Sequence, residues 1–166
     1  MRIPKFTGKS KEEIAKKIFK FVRDEVAWDV LPIVGPEKVL RRKPMAAICF
    51  DKALLFGFLC KRYGIKVRYV IAKVRMHTKV KELPPIALHV YPEVYLGRWH
   101  PVDVTFGKKE AKLVEMSKWN KLPFDVLEIK KRKKDFSKLE LAFFNLLIKL
   151  LPMTKKIRKV IRKYRT

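Results

Sequence analysis

The chain has 166 residues, which suits one domain with a short appendage, and 48% of them are apolar, enough to fill a core. Its two cysteines are too few for a disulfide framework, and no run reaches the roughly 20 apolar residues of a membrane-spanning helix, so neither a stapled secreted module nor an integral membrane protein is expected. A net charge of +25 points to an anionic partner (nucleic acid, anionic lipid or acidic protein) without choosing among them.

The first nine residues, Met-Arg-Ile-Pro-Lys-Phe-Thr-Gly-Lys, lack the apolar run of a signal peptide, so a reducing cytoplasm is the expected location. Ser10 followed by Glu13 reads as a capping box, and Ile14, Ile18, Phe21, Val22 and Val26 recur at helical spacing. A helix over about 11–28 is predicted, with Lys11, Lys16, Lys20 and Arg23 facing water. Residues 29–47, with Pro32, Gly35, Pro36 and Pro44, read as irregular. From Cys49 onward the chain is apolar nearly all round a helix, with Lys61 and Arg62 suiting its C-terminal end and Gly64 its termination.

Val67 to Val74 reads as a strand rich in β-branched residues. A basic connection containing His77 leads to two further strands, 86–95 and 98–106, around Leu96-Gly97. Residues 108–129 are mixed, with a short helix near Glu110–Met116 and a strand near Phe124–Ile129. Beyond them, residues 130–166 hold 14 Lys/Arg against Asp135 and Glu140, so +12 of the +25 lies there. Ser137 and Glu140 form a second capping box ahead of an apolar run from Leu139 to Leu151. Pro152 ends that run, and a last helix carries Ile157, Val160, Ile161 and Tyr164 on one face.

Three of these elements carry side chains that make chemical sense together. Cys49 opens the most apolar helix, where free N–H groups and the positive end of the helix dipole favour a thiolate and supply oxyanion donors. An inert buried cysteine is the competing reading, and the one adopted for Cys60, which lies about 16 Å along the same helix and cannot bridge to Cys49. If Tyr95-Leu96-Gly97 is a three-residue hairpin loop, Val94 pairs with Arg98 and His89 falls directly opposite Asp103. That pairing lets the carboxylate orient the imidazole, although it places Pro92 and Pro101 at positions of opposite hydrogen-bonding class, which a bulge or an edge strand would have to repair. A core histidine satisfied by a carboxylate is the alternative. His77 reads as solvated, and His100 points away from Asp103. The histidines and cysteines are too scattered for zinc, no phosphate-binding glycine loop is present, and no cofactor is expected.

The runs around these residues resemble the transglutaminase-like family of papain-like cysteine hydrolases. Cys49, Asp51 and Ala53, then Gly64-Ile65 and Arg68-Tyr69-Val70, follow its first block. His89, Tyr91, Glu93, Val94 and Tyr95, then Trp99, Val102, Asp103 and Thr105, follow its second and third. The resemblance covers residues 12–106 and implies an α+β papain-like core, its cysteine helix packed on an antiparallel sheet. It also implies Cys49 as nucleophile, His89 as base and acid, Asp103 as orienter, and Trp28 as a wall of the site whose indole serves the oxyanion. Ala46-Ala47-Ile48 stand where the family usually has a glycine, and Tyr91 where it has a tryptophan.

Residues 1–129 are expected to form this domain and residues 130–166 a basic helical appendage. The expected activity is a thiol-dependent hydrolase or acyltransferase acting on protein or peptide amide bonds. The alternative is an inactive binding module of the same fold, associated with an anionic membrane surface. The tail, residues 137–166, has three readings: a solvated cap over the core, an interfacial anchor on the inner membrane face, or a phosphate-binding nucleic-acid surface, for which interleaved aromatics are missing.

Overall fold

The computed structural model describes residues 3–150 and 152–164; Met1 and Arg2 of the N-terminal run, Leu151 at the predicted end of the apolar run, and Arg165 and Thr166 of the tail lie outside the described residues. Helix α1 (Lys11–Glu25) begins where Ser10 Oγ accepts the Glu13 N–H at 3.2 Å, and it buries Ala15, Ile18, Phe19 and Val22. It stops short of the predicted Trp28. Val26 leaves helical geometry, and β1 (Ala27–Trp28) instead pairs in parallel with β2 (Ala46–Ala47). Ala27 N–H to the Met45 carbonyl and Asp29 N–H to the Ala47 carbonyl, both 3.0 Å, replace the hydrogen bonds a longer helix would have made. Within the stretch read as irregular, Pro36 starts the short helix α2 (Pro36–Arg41).

Helix α3 (Cys49–Lys61) is buried on almost every side, and Gly64, at φ +63°, turns the chain out of it so that the Ile65 N–H reaches the Cys60 carbonyl. The helix packs closely on the sheet: a Cβ on Gly57 would collide with the Tyr69 hydroxyl, so a larger residue there would have to displace the buried tyrosine ring.

The sheet is antiparallel in the order β5-β4-β3-β6, built from β3 (Val67–Met76), β4 (Ile86–Tyr95), β5 (Trp99–Pro101) and β6 (Phe124–Lys133). Up to Ala72, β3 is buried on both faces; Lys73 and Arg75 beyond it are exposed. Val67, Tyr69 and Ile71 join α1 and α3 in one core, whereas Val70, Ala72, Val74 and Met76 join Phe106, Leu113 and Val114 in a second. This is the α+β arrangement expected, with four differences of detail. β5 is only three residues long, β6 runs on to Lys133, the predicted helix near residue 110 is a single 3-10 turn (Lys108–Glu110), and the β4–β5 register is shifted by two. Tyr95 pairs with Trp99 and Glu93 with Pro101, and Gly97 sits mid-loop at φ +82°. The two prolines still fall in opposite hydrogen-bonding classes: the Pro92 carbonyl accepts the Val102 N–H at 2.9 Å, and Pro101, in the other class, ends an edge strand, which tolerates it.

Two helices close the chain. α4 (Lys138–Leu150) starts at the Ser137/Glu140 capping box, with Glu140 N–H to Ser137 Oγ at 3.2 Å and Ser137 N–H to Glu140 Oε2 at 3.0 Å. Asn145 fastens it by pairing with both main-chain groups of Ile33, at 2.7 and 2.9 Å, while Leu141, Phe144 and Ile148 pack on the first core. α5 (Pro152–Tyr164) buries Val160 and Ile161 in the second core. Among the described residues, no helix is long and apolar enough to cross a membrane.

Candidate active site

The site forms where the sheet edge opens. β5 pairs only with residues 93–95 of β4, so the earlier part of β4, which carries His89, has no strand beyond it. The N-terminal end of α3 reaches that opening, and Cys49 and His89 line one cavity. Ile48 precedes α3 in extended conformation, and the buried pair Ala46–Ala47 holds this lead-in against β1. Alanine suits the position because the backbone there is extended; none of the three residues before Cys49 has positive φ. Asp51 carries more than a first-turn charge. It is fully buried and accepts the N–H groups of Val34 and Gly35, each at 3.0 Å, which fixes the loop entering α2; burial nevertheless raises its pKa.

His89 and Asp103 meet, but not as a directly opposed strand pair. Asp103 lies beyond the end of β5, and its Oδ1 accepts from His89 Nε2 at 2.9 Å. Thr105 lies nearer the position opposite His89, with its hydroxyl 3.5 Å from Nε2. Asp103 is completely buried and saturated. Thr105 Oγ1 donates to Oδ1 at 2.8 Å, Thr105 N–H to Oδ2 at 3.3 Å, and the Ser117 hydroxyl also donates to Oδ2. Burial alone would raise the carboxyl pKa, but the hydrogen bonds from His89, Ser117 and Thr105 and the charge of the imidazolium hold it below the usual range.

With Nε2 committed to Asp103, the other ring nitrogen is left for the sulfur. Cys49 and the ring line the same cavity, and the sulfur is among the groups that act on the ring's charge. Burial pulls the imidazolium down. Attraction to the Cys49 sulfur and hydrogen bonds to Asp103 and Cys49 outweigh it, and the His89 pKa rises to about 10. Phe106 stacks on the ring with centroids 5.8 Å apart, and Phe124 meets it edge-on at 4.8 Å. Cys49 is half-buried, whereas Cys60 is fully enclosed and its thiol is pushed well up by burial.

Trp28 also lines the cavity, packed edge-on against Phe106 at 5.1 Å. Its backbone N–H donates to Glu110 Oε1 at 2.9 Å, and Glu110 Oε2 accepts the Gly107 N–H at 2.9 Å. This buried carboxylate therefore ties β1 to the segment that carries Asp103 and Phe106. Lys52 performs a parallel task. It is fully buried, and Nζ donates to the carbonyls of Val26 at 2.5 Å, Thr105 at 2.7 Å and Arg23 at 3.3 Å, while burial lowers its pKa to about 8. Sequence reading missed Lys52, Glu110 and Ser117. For Lys52 a signal was present, since a lysine in the first turn of a helix apolar on all sides has nowhere dry to go unpaired. His77 is partnered rather than merely solvated: Nδ1 is 2.8 Å from Glu115 and Nε2 3.2 Å from Asp125, and those contacts raise its pKa. Among the described residues no cluster could hold a metal ion.

A sequence model of the Transglutaminase-like superfamily matches residues 4–104, a span that takes in Cys49, His89 and Asp103. Among solved structures, the chain is similar to the arylamine-N-acetyltransferase from M. tuberculosis, at 14% identity and a TM-score of 0.58, with 91% of this chain and 71% of that one covered. It is also similar to the M. smegmatis arylamine N-acetyl transferase, at 12% identity and a TM-score of 0.54, with 82% and 64% covered. At such identities the likeness establishes a shared fold. No curated protein matches the chain significantly in sequence.

Proposed function

The chain belongs to the transglutaminase-like superfamily, and on that premise we propose that it is a thiol-dependent hydrolase or acyltransferase acting on amide bonds through Cys49, His89 and Asp103. The observation that carries the reading is a buried, fully hydrogen-bonded His89–Asp103 pair facing a half-buried cysteine at a helix N-terminus. In the proposed cycle the proton of the Cys49–His89 pair rests on His89, and the sulfur attacks the carbonyl carbon. The C–S bond forms, the C–N bond breaks, and His89 passes its proton to the departing amine. Water or a second amine, deprotonated by His89, then takes the acyl group and frees the sulfur. N–H groups in the first turn of α3, with Trp28 at the cavity wall, are the proposed donors to the oxyanion.

The test uses an activated ester, because its leaving group needs little help. With p-nitrophenyl acetate, mass spectrometry should find one acetyl group on Cys49, and none in Cys49→Ser or on Cys60. Absence of any Cys49-dependent acyl adduct would contradict the reading.

A second observation concerns location. The outer face of α4 exposes Leu139, Phe143, Leu146 and Leu150, at 53–80% relative exposure and with helical spacing. Exposed Lys138 and Lys149 lie beside this stripe on α4, and Lys155, Lys156 and Lys159 are exposed on α5. An apolar stripe bordered by lysines is complementary to an anionic bilayer, so we propose that residues 137–166 rest on such a surface. Co-sedimentation with phosphatidylserine vesicles should be strong at low salt and should fall at least tenfold in Phe143→Asp/Leu146→Asp. Binding to duplex nucleic acid but not to vesicles would overturn this proposal.

A further inference from the structure

The cavity beside Cys49 has a volume of about 230 Å3. Apart from Cys49, His89 and Thr154, every residue that lines it is apolar. In a chain of which 34% of residues are Asp, Glu, Lys or Arg, none of these four types lines the cavity. Trp28, Met76 and Phe106 line it together with Phe144 and Leu147 of α4 and Ile157 of α5. The C-terminal helices therefore supply part of the cavity lining, and they are fastened there by Asn145 to Ile33 and by the Arg158–Asp29 pair at 3.6 Å.

We infer that this cavity receives the acyl group of the substrate, and that this group is apolar, of aryl or medium-chain alkyl type. The inference rests on the reading of Cys49 as nucleophile. Its physical basis is that the acyl group stays bonded to sulfur through both half-reactions, whereas leaving group and acceptor must exchange through open solvent. A recess next to the sulfur is therefore best matched by the group that stays. A charged or strongly polar acyl group would lose its hydration without gaining partners there, at a cost that an apolar chain does not bear. The volume exceeds the roughly 150 Å3 of an apolar cavity that takes up benzene, so a ring or a chain of several methylenes fits.

The test measures Cys49 acylation with p-nitrophenyl acetate, butyrate, hexanoate and octanoate. In each case the C–S bond forms as the C–O bond breaks, p-nitrophenolate leaves, and the acyl group remains on sulfur. The second-order rate constant, corrected with Cys49→Ser, should rise at least tenfold from acetate to hexanoate. Leu147→Trp, which fills the cavity, should lower the octanoate rate at least tenfold more than the acetate rate. Ile157→Trp serves as the second variant should the first fail to fold, as judged by circular dichroism. A flat or falling series with acetate still acylating Cys49 would overturn the apolar-acyl inference and leave the catalytic reading intact. No Cys49-dependent acylation by any of the four esters would overturn both.

Discussion

At the scale of single residues, the site is a proton inventory. His89 carries its proton well above neutrality because Cys49 and Asp103 outweigh its burial. A folded-state pKa of about 10 against roughly 6.5 unfolded means that this interaction stabilises the fold fully below about pH 6.5 and is lost as pH rises through the folded value. Between pH 6.5 and 8 His89 by itself contributes a fall in unfolding free energy with pH, of at most about 1.4 kcal/mol per pH unit. His89→Gln should remove that part of the slope in urea titrations, leaving the contribution of His77. In Asp103→Asn the His89 midpoint, followed by NMR, should drop by about 1–3 pH units, since an opposing charge is lost. Lys52→Met should cost about 3 kcal/mol, because it strands three buried carbonyls that Nζ now satisfies. A loss under about 1 kcal/mol would show that those contacts contribute little. Cys49, His89 and Asp103 were legible in the sequence because each sits in a short run with its own composition. Ser117 was not, because it reaches Asp103 from a segment with no regular structure whose path only the tertiary fold decides.

At the scale of elements, local rules succeeded where the chain is self-contained. Both capping serines, the all-apolar α3 and the span of β4 follow from spacing and composition. They failed where a distant partner intervenes. α1 ends early because β2, about 20 residues on in sequence, pairs with Ala27–Trp28. The hairpin register is shifted by two, with Tyr95 opposite Trp99 and the Pro92 carbonyl taking the Val102 N–H. The His89–Asp103 contact survived that error, since a two-residue shift keeps side chains on the same face of a strand. α4 offers a test at this scale. Asn145 mimics a strand partner to Ile33, so Asn145→Ala should speed amide exchange in α4 at least tenfold while leaving α3 unchanged. Equal change in both would mean that α4 is not held independently.

At the scale of the molecule, two asymmetries stand out. The charge is concentrated in residues 130–166, yet the same segment supplies Phe144, Leu147 and Ile148 to a cavity lined by no Asp, Glu, Lys or Arg. α4 thus presents one apolar face to the site and another to solvent. Composition revealed the excess charge and the apolar run, but not that the run has two separate tasks, because periodicity cannot say which stripe a neighbour covers. The account as a whole depends on Cys49 being activated by His89. Iodoacetamide alkylation followed from pH 5 to 9 tests this most directly, with Cys60 silent because it is enclosed. Cys49 should react at pH 6 at least tenfold faster than an ordinary free thiol, and His89→Ala should abolish the advantage. A folded protein whose Cys49 reacts like a free thiol across this range, with or without His89, would contradict it.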